Sequence, residues 1–310
     1  MVLCGLVMVD ISMTVAGVHF KHPLLLASGV MDEDAGSMLR MVKGGAGGVV
    51  TKSIGMNPRS GHTNPTVVEV EGGWLNAMGL PNPGIDEYVD EIASFKNHCD
   101  VPVIGSIFGA DAEQFCTLAK KMQDGNVEML ELNVSCPHAK GFGLQLGSDP
   151  ELVEEIVSSV KSSVSIPVFV KLSPNVTDIV KIGAAAVDGG ADGLVAINTV
   201  KAMSINVDLM APVLSNGFGG LCGPAIRPIG VRCIYELYDA LDVPLIGVGG
   251  ICSGNDVLEY VMAGASLVQI GSGIANRGVD IFSCVCDEIV EWMMKNKVDS
   301  LCDLVGGAHR

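Results

Sequence analysis

The chain has 310 residues, 48% hydrophobic and 17% charged, enough apolar side chains for a large core and too few polar ones for a disordered or collagen-like polymer. Its 19 Lys and Arg face 35 Asp and Glu, a net charge of −16, and so acidic a surface repels phosphate backbones and anionic lipid, which excludes nucleic-acid and membrane-surface partners. An α/β barrel takes about 250 residues as one domain, so residues 1–310 read as a single domain with insertions.

The opening MVLCGLVMVD is apolar for about nine residues but lacks a basic leader and a small-residue cleavage site. No other stretch reaches the roughly 18 apolar residues of a membrane span, so a soluble, cytoplasmic protein is expected. The next segment, ISMTVAGVHFKHP, alternates about Ala16-Gly17 and predicts a β-hairpin closing the bottom of a barrel. Eight short apolar runs then recur: LLLASG at 24–29, GGAGGVVTKS at 44–53, DVPVIGS at 100–106, MLELNVSC at 129–136, SIPVFVK at 165–171, GGADGLVAINT at 189–199, DVPLIGV at 242–248 and MAGASLVQIGS at 262–272. Unbroken rather than alternating apolarity marks strands buried on both faces, as in a parallel sheet. Three runs open on proline, which suits the first position of a strand, and three follow glycines that stop a helix.

Helical patterns lie between the runs. Asp111 with Gln114 predicts a capping box, Asp149-Pro150 an N-cap with proline in the first turn, and Ser253 the cap of NDVLEYVMAG. Strands alternating with helices predict an α/β fold, a (β/α)8 TIM barrel with an N-terminal β-hairpin. Its connections after strands two and six are long, about 54–84 and 200–226, and long ordered loops in barrels overhang the active site.

Ten cysteines are scattered along the chain without zinc-ribbon or iron–sulfur spacing, and the six histidines show no metal pattern either; no metal site and no disulfide framework are expected. Chemistry gathers instead at the strand ends: Ser28-Gly29, Lys52-Ser53, Ser106, Asn133 to Cys136, Lys171, Asn198-Thr199, Gly249-Gly250 and Gly271-Ser272. The last two pairs are glycine turns of the kind that cradle phosphate in this fold. Lys52 and Lys171 end buried strands and need anionic partners; each reads as a Schiff-base amine, as a fixed charge for a carboxylate or an anionic ring, or as half of a structural ion pair. Cys136, beside Asn133 and Ser135 at the active rim, is a candidate base. Asn76, Asn82, Asn133 and Asn198 offer amides to a planar ligand with several hydrogen-bonding groups.

Over nearly its whole length the chain resembles the class 1 dihydroorotate dehydrogenases, through LLLASG, VVTKS, NAMGLPNPG at 76–84, LNVSCPH at 132–138, VKLSPN at 170–175, INT at 197–199, FGGLCGPAIRPIGVRCIYEL at 218–237, IGVGGI at 246–251 and QIGSG at 269–273. The GPAIRP stretch resembles the B subclass, the NAD-linked form with a second subunit. The resemblance implies that Ser28, Lys52, Ser53, Ser106, Asn133, Lys171, Ile197, Gly223, Gly249, Gly250, Gly271 and Ser272 hold FMN. It further implies that Lys52, Asn76, Ala77, Met78, Gly79, Leu80, Asn133, Asn198 and Thr199 bind dihydroorotate or orotate, and that Cys136 is the base. The implied partner is a subunit carrying FAD and a [2Fe–2S] cluster, in a heterotetramer of two catalytic and two partner chains. The chain departs from the family pattern at Ser106, where many relatives have a flavin-contacting Asn, at His138, which replaces an Asn after Cys-Pro, and at Cys222, which replaces a Ser. Alternatives are the fumarate-linked A subclass, a related FMN dihydropyrimidine reductase and, from other classes, a Schiff-base phosphosugar aldolase or a non-enzymatic binding barrel.

Overall fold

A computed structural model describes residues 9–134 and 146–309. The first strands among the described residues form an antiparallel hairpin, Met13–Val15 paired with Val18–Phe20. Both turn residues take left-handed backbone, Ala16 at φ 48° and Gly17 at φ 82°, the geometry whose twist matches the flanking strands. Met13, Val15 and Phe20 are buried while Thr14 and His19 are exposed. The Phe20 ring lies 3.1 Å from where a Cβ of Gly48 would stand, so the hairpin packs at the start of a barrel strand, the end where the sequence places it.

Eight strands close a parallel barrel: β1 (Leu24–Leu26), β2 (Gly48–Val50), β3 (Val103–Ile107), β4 (Met129–Asn133), β5 (Val168–Leu172), β6 (Gly193–Ala196), β7 (Leu245–Val248) and β8 (Ala265–Ile270). β1 through β6 are buried at every position, because strands covered by helices outside and packed on each other inside have no wet face. The prolines sit one residue before β3, β5 and β7. Lacking an N–H costs them nothing there, yet their carbonyls accept the N–H groups of Val49, Leu130 and Leu194, so each proline starts the ladder with the preceding strand in the barrel.

The intervening helices begin and end where the sequence marks them. Asp149 caps Pro150–Ser163, Ser253 forms a reciprocal capping box with Asp256 at the start of Gly254–Ala263, and Gly44, Gly189 and Gly264 stop three helices ahead of β2, β6 and β8. The box expected at Asp111 forms by half. Asp111 accepts the Gln114 N–H, but the Gln114 side chain accepts from Ala110 rather than from the cap residue.

The two long connections are not open loops. They pair into a four-stranded antiparallel sheet, in the order Val200–Ala202, Gly219–Cys222, Gly73–Asn76 and Val67–Val70. The strands approach so closely that a Cβ on Gly73 would lie 1.9 Å from the Cys222 carbonyl oxygen. This sheet roofs the C-terminal mouth of the barrel, with a small core of its own, Leu75, Ala77 and Leu214. No helix among the described residues is long and apolar enough to cross a membrane.

Candidate functional site

A cavity of about 440 Å³ lies between the C-terminal strand ends and the roof sheet, a size suited to a small-molecule ligand. Its floor is a buried polar chain. Ser28 Oγ lies 3.3 Å from Ser53 Oγ, which accepts from Asn133 Nδ2 at 2.9 Å and lies 2.7 Å from Ser106 Oγ. Ser106 donates to Glu131 Oε1 at 3.3 Å, and the same oxygen accepts from Lys171 Nζ at 3.2 Å. Gln269 closes the chain, its Oε1 accepting from Lys171 at 3.1 Å and its Nε2 donating to Glu131 Oε2 at 2.7 Å. Glu131 is wholly buried, so its charge is tolerable only because Lys171 and two hydrogen-bond donors meet it. An ammonium has three hydrogens; two are taken by Glu131 and Gln269, and Lys171 is also a lining residue, so one remains for a ligand.

The second cation is held more loosely. Lys52 Nζ lies 3.7 Å from Glu33 Oε1 and 4.0 Å from Asp32 Oδ1, within ion-pair range but beyond a hydrogen bond. Opposite, on the roof, Asn76 donates through Nδ2 to the Gly220 carbonyl at 3.1 Å and toward Cys222 Sγ at 3.7 Å. A carbonyl can only accept, so the amide orientation is fixed, and Asn76 presents its oxygen to the cavity. Asn198 Oδ1 accepts the Thr199 N–H at 2.7 Å. Burial pushes the Cys222 thiol up, which keeps this lining sulfur protonated and unfit to act as a base.

Two backbone turns form the remaining wall. Gly249 and Gly250 have φ 132° and 70°, and a Cβ on Gly250 would stand 2.6 Å from the Gly223 carbonyl oxygen, so only glycine fits. The helix that follows is capped internally. The N–H groups of Cys252 and Ser253 go to Asp256 and that of Gly254 to Glu288, so any anion at this turn must use the donors of 249–251 rather than the helix start. After β8, Gly271, Ser272 and Gly273 line the cavity at the start of the short helix Gly273–Arg277, and the N–H groups of Ile274 and Ala275 turn back to the Gly271 and Ser272 carbonyls, so an anion here must use the donors of 271–273. Two donor-rich turns, two cations and the apolar side chains of Ile197, Val248 and Ile251 in the same cavity lining fit a phosphorylated aromatic cofactor with an anionic ring.

A family model described as dihydroorotate dehydrogenase matches residues 10–293. The chain belongs to the dihydroorotate dehydrogenase family. A Methanocaldococcus jannaschii protein, named dihydroorotate dehydrogenase B (NAD(+)), catalytic subunit, is 55% identical over 95% of this chain and 97% of its own. Proteins of the same name from Thermoplasma acidophilum, 50% identical over 98% of this chain and 100% of its own, and from Pyrococcus horikoshii, 48% identical over 94% of this chain and 95% of its own, are also similar to this chain. The chain is thus an enzyme of an oxidoreductase family.

Most residues expected from the resemblance to dihydroorotate dehydrogenases meet in the one cavity. Ser28, Lys52, Ser53, Asn133, Lys171, Ile197, Gly249, Gly250, Gly271 and Ser272 line it together with Asn76, Met78, Gly79, Leu80, Asn198 and Thr199. Three do not. Ala77 points into the small roof core, Gly223 stands behind Gly250, and Ser106 lies fully buried beneath Ser53, where it relays a hydrogen bond instead of lining the wall. Asn82 also differs from its reading as a ligand amide. Its oxygen accepts from Gly55 and Gly84 and its nitrogen donates to the Leu80 carbonyl, so it organises the loop that carries Met78 to Leu80. Cys136 and His138 lie outside the described residues; β4 ends at Asn133, just before them.

Sequence reasoning missed Glu131, Gln269, Trp74 and Asp32. Glu131 and Gln269 sat inside runs read as apolar, MLELN and LVQI. Their signal was parity: in a strand alternate residues share a face, so a charged residue two positions before Asn133 points into the same interior. Trp74 lines the cavity from the roof, on a strand that forms a short hairpin with Val67–Val70 and pairs along its other edge with the distant Gly219–Cys222.

Proposed function

We propose that the chain is the catalytic subunit of an NAD-linked dihydroorotate dehydrogenase, oxidising dihydroorotate to orotate in pyrimidine biosynthesis with FMN as its cofactor, and that residues 1–310 act as one functional domain. The observation that carries this reading is the meeting, in one slot, of two cations, fixed amide acceptors and two glycine turns. FMN would be held by Ser28, Ser53, Asn133, Lys171, Ile197 and the turns at Gly249-Gly250 and Gly271-Ser272, with Ser106 and Gly223 supporting from behind. When bound, FMN supplies the acceptor for the hydride that leaves carbon 6 of the substrate. Everything else falls to the chain.

Lys52 attracts the substrate carboxylate, the Asn76 oxygen accepts a ring N–H, and Asn133, Asn198 and Thr199 complete the polar rim around a ligand held in one orientation. Met78, Gly79 and Leu80 close over it and exclude water. Cys136 takes the carbon 5 proton, a role that needs its thiolate. The remaining hydrogen of Lys171 would be available to stabilise negative charge on the ring of a bound, reduced flavin. The Schiff-base reading finds less support, since a nucleophilic amine would first have to leave the carboxylates beside Lys52 and Lys171. Reoxidation would fall to a partner subunit with FAD and a [2Fe–2S] cluster, two of each chain per complex, in the cytoplasm; this chain has neither cluster spacing nor a dinucleotide fingerprint. The test is spectroscopic. Purified protein reconstituted with FMN should be yellow and bleach anaerobically with dihydroorotate, reducing dyes alone and NAD only with the partner; a protein that neither takes up FMN nor reacts with dihydroorotate would sink the reading.

A further inference from the structure

The loop after β1 carries a buried acid that the chemistry above leaves idle. Asp32 has no exposed surface. Its Oδ2 accepts the Gly29 N–H at 2.5 Å, and its backbone carbonyl accepts the Tyr88 hydroxyl at 2.6 Å. That same hydroxyl accepts the Lys52 N–H at 3.3 Å, so Tyr88 ties the Asp32 loop to the end of β2. Oδ1 has no hydrogen-bond partner and sits 4.0 Å from Lys52 Nζ. Lys52 therefore stands between an orphan buried oxygen and the cavity. The other charged or titratable groups around Asp32 are Glu33 on its own loop, 3.7 Å from the same ammonium and largely exposed, and Tyr88 and Glu91 on the helix Ile85–Lys96.

A buried carboxylate lacking a hydrogen bond at one oxygen is stable as an anion only while a cation faces it. A ligand carboxylate that draws Lys52 into the cavity removes that support. We propose that Asp32 is a positioning residue for Lys52, holding the ammonium at the rim until an anionic ligand displaces it as counter-charge, and that Asp32 then takes a proton from solvent. The proton returns to solvent when the ligand leaves, so no other group gains or loses one. Burial raises the Asp32 carboxyl to about 6, even against the attraction of Lys52. At pH 7 it is thus roughly nine-tenths ionised and close enough to titration for the loss of its partner to tip it.

This inference rests on the reading that an anionic ligand binds at Lys52, and the probe is orotate added to the FMN-loaded protein. Calorimetric titration at pH 7 in two buffers of different ionisation heat should show uptake of about half a proton or more per orotate bound. Between pH 7 and 8 the affinity should fall about two- to tenfold, in step with the measured uptake. Asp32→Asn should bind orotate with no uptake and a flat pH profile over that range, while Cys136→Ala should keep the uptake. If Asp32→Asn fails to fold, the wild-type slope and the Cys136→Ala uptake decide. Orotate binding without uptake, or uptake that survives Asp32→Asn, overturns the role of Asp32 and leaves the function intact; no orotate binding to the wild type overturns both.

Discussion

Replacing Glu131 with Gln removes one charge from the floor and changes almost no volume, so its effect isolates the electrostatics of the buried chain. Lys171 Nζ stands 3.2 Å from Glu131 Oε1; at an effective dielectric of about 20 that attraction is about 5 kcal/mol. The loss is sharpened by geometry. If the new amide keeps its oxygen toward Lys171 and Ser106, its nitrogen faces Gln269 Nε2, now 2.7 Å from that position, donor against donor. Turning Gln269 over relieves that clash but places its nitrogen against Lys171, at the position now 3.1 Å away. No assignment satisfies all members, and a half-satisfied buried network is worse than an apolar one. Breaking a buried pair this way costs about 3–5 kcal/mol. Urea denaturation of the FMN-free protein at pH 7 should show a loss of that size with an unchanged slope, and the triple variant Glu131→Met, Lys171→Met and Gln269→Met, which leaves no orphaned amide, should recover most of it. A loss below about 0.5 kcal/mol for Glu131→Gln, typical of a surface change, would refute the reasoning.

Further outcomes follow from other positions. Gly73→Ala forces a methyl into the Cys222 carbonyl; the roof should part, with a stability cost of about 1–3 kcal/mol and loss of orotate binding measured by fluorescence or calorimetry, whereas unaltered binding would show that the roof is dispensable. Asp32 has a folded-state pKa raised from 3.8 to about 6, so its stabilising contribution is complete below pH 4 and lost as pH rises through 6. The difference is about 3 kcal/mol. Unfolding measured from pH 4 to 7 should show this component in the wild type and not in Asp32→Asn; equal slopes would place Asp32 at its ordinary value. Cys136→Ala should keep FMN but slow its anaerobic reduction by dihydroorotate at least 100-fold, read by stopped-flow absorbance, and a rate equal to wild type would make the thiol a packing residue.

The barrel was legible because its punctuation is local. Proline before β3, β5 and β7, glycine before β2, β6 and β8, and strands apolar on both faces are each decided within about ten residues. The rim followed, since a barrel presents the residues at its strand ends. What stayed hidden depends on partners far along the chain. The roof strands are three or four residues long, and although Val67–Val70 and Gly73–Asn76 form a local hairpin, the pairing that makes a roof joins Gly73–Asn76 to Gly219–Cys222, which no short window shows. Ser106 read as a lining residue because strand parity gives direction but not depth, and Ser53 stands in front of it. Asp32 had no signal beyond an acidic loop, because what singles it out is the burial of its carboxyl.

The roof joins residues 144 apart in the chain, as between Asn76 and Gly220, and yet its own core is three side chains. Closing so wide a loop is entropically steep for a free chain. Here the barrel already holds the two ends together, and a sheet with so small a buried core is expected to be the less stable unit. By the same reasoning it opens first, and it can do so while the barrel stays folded. Amide exchange in Gly73–Asn76 and Gly219–Cys222 should therefore run ahead of that in β3 to β5 and slow together when the cavity is filled. A ligand that had to pass this ceiling would wait on its opening, and the speed of that opening would then bound turnover.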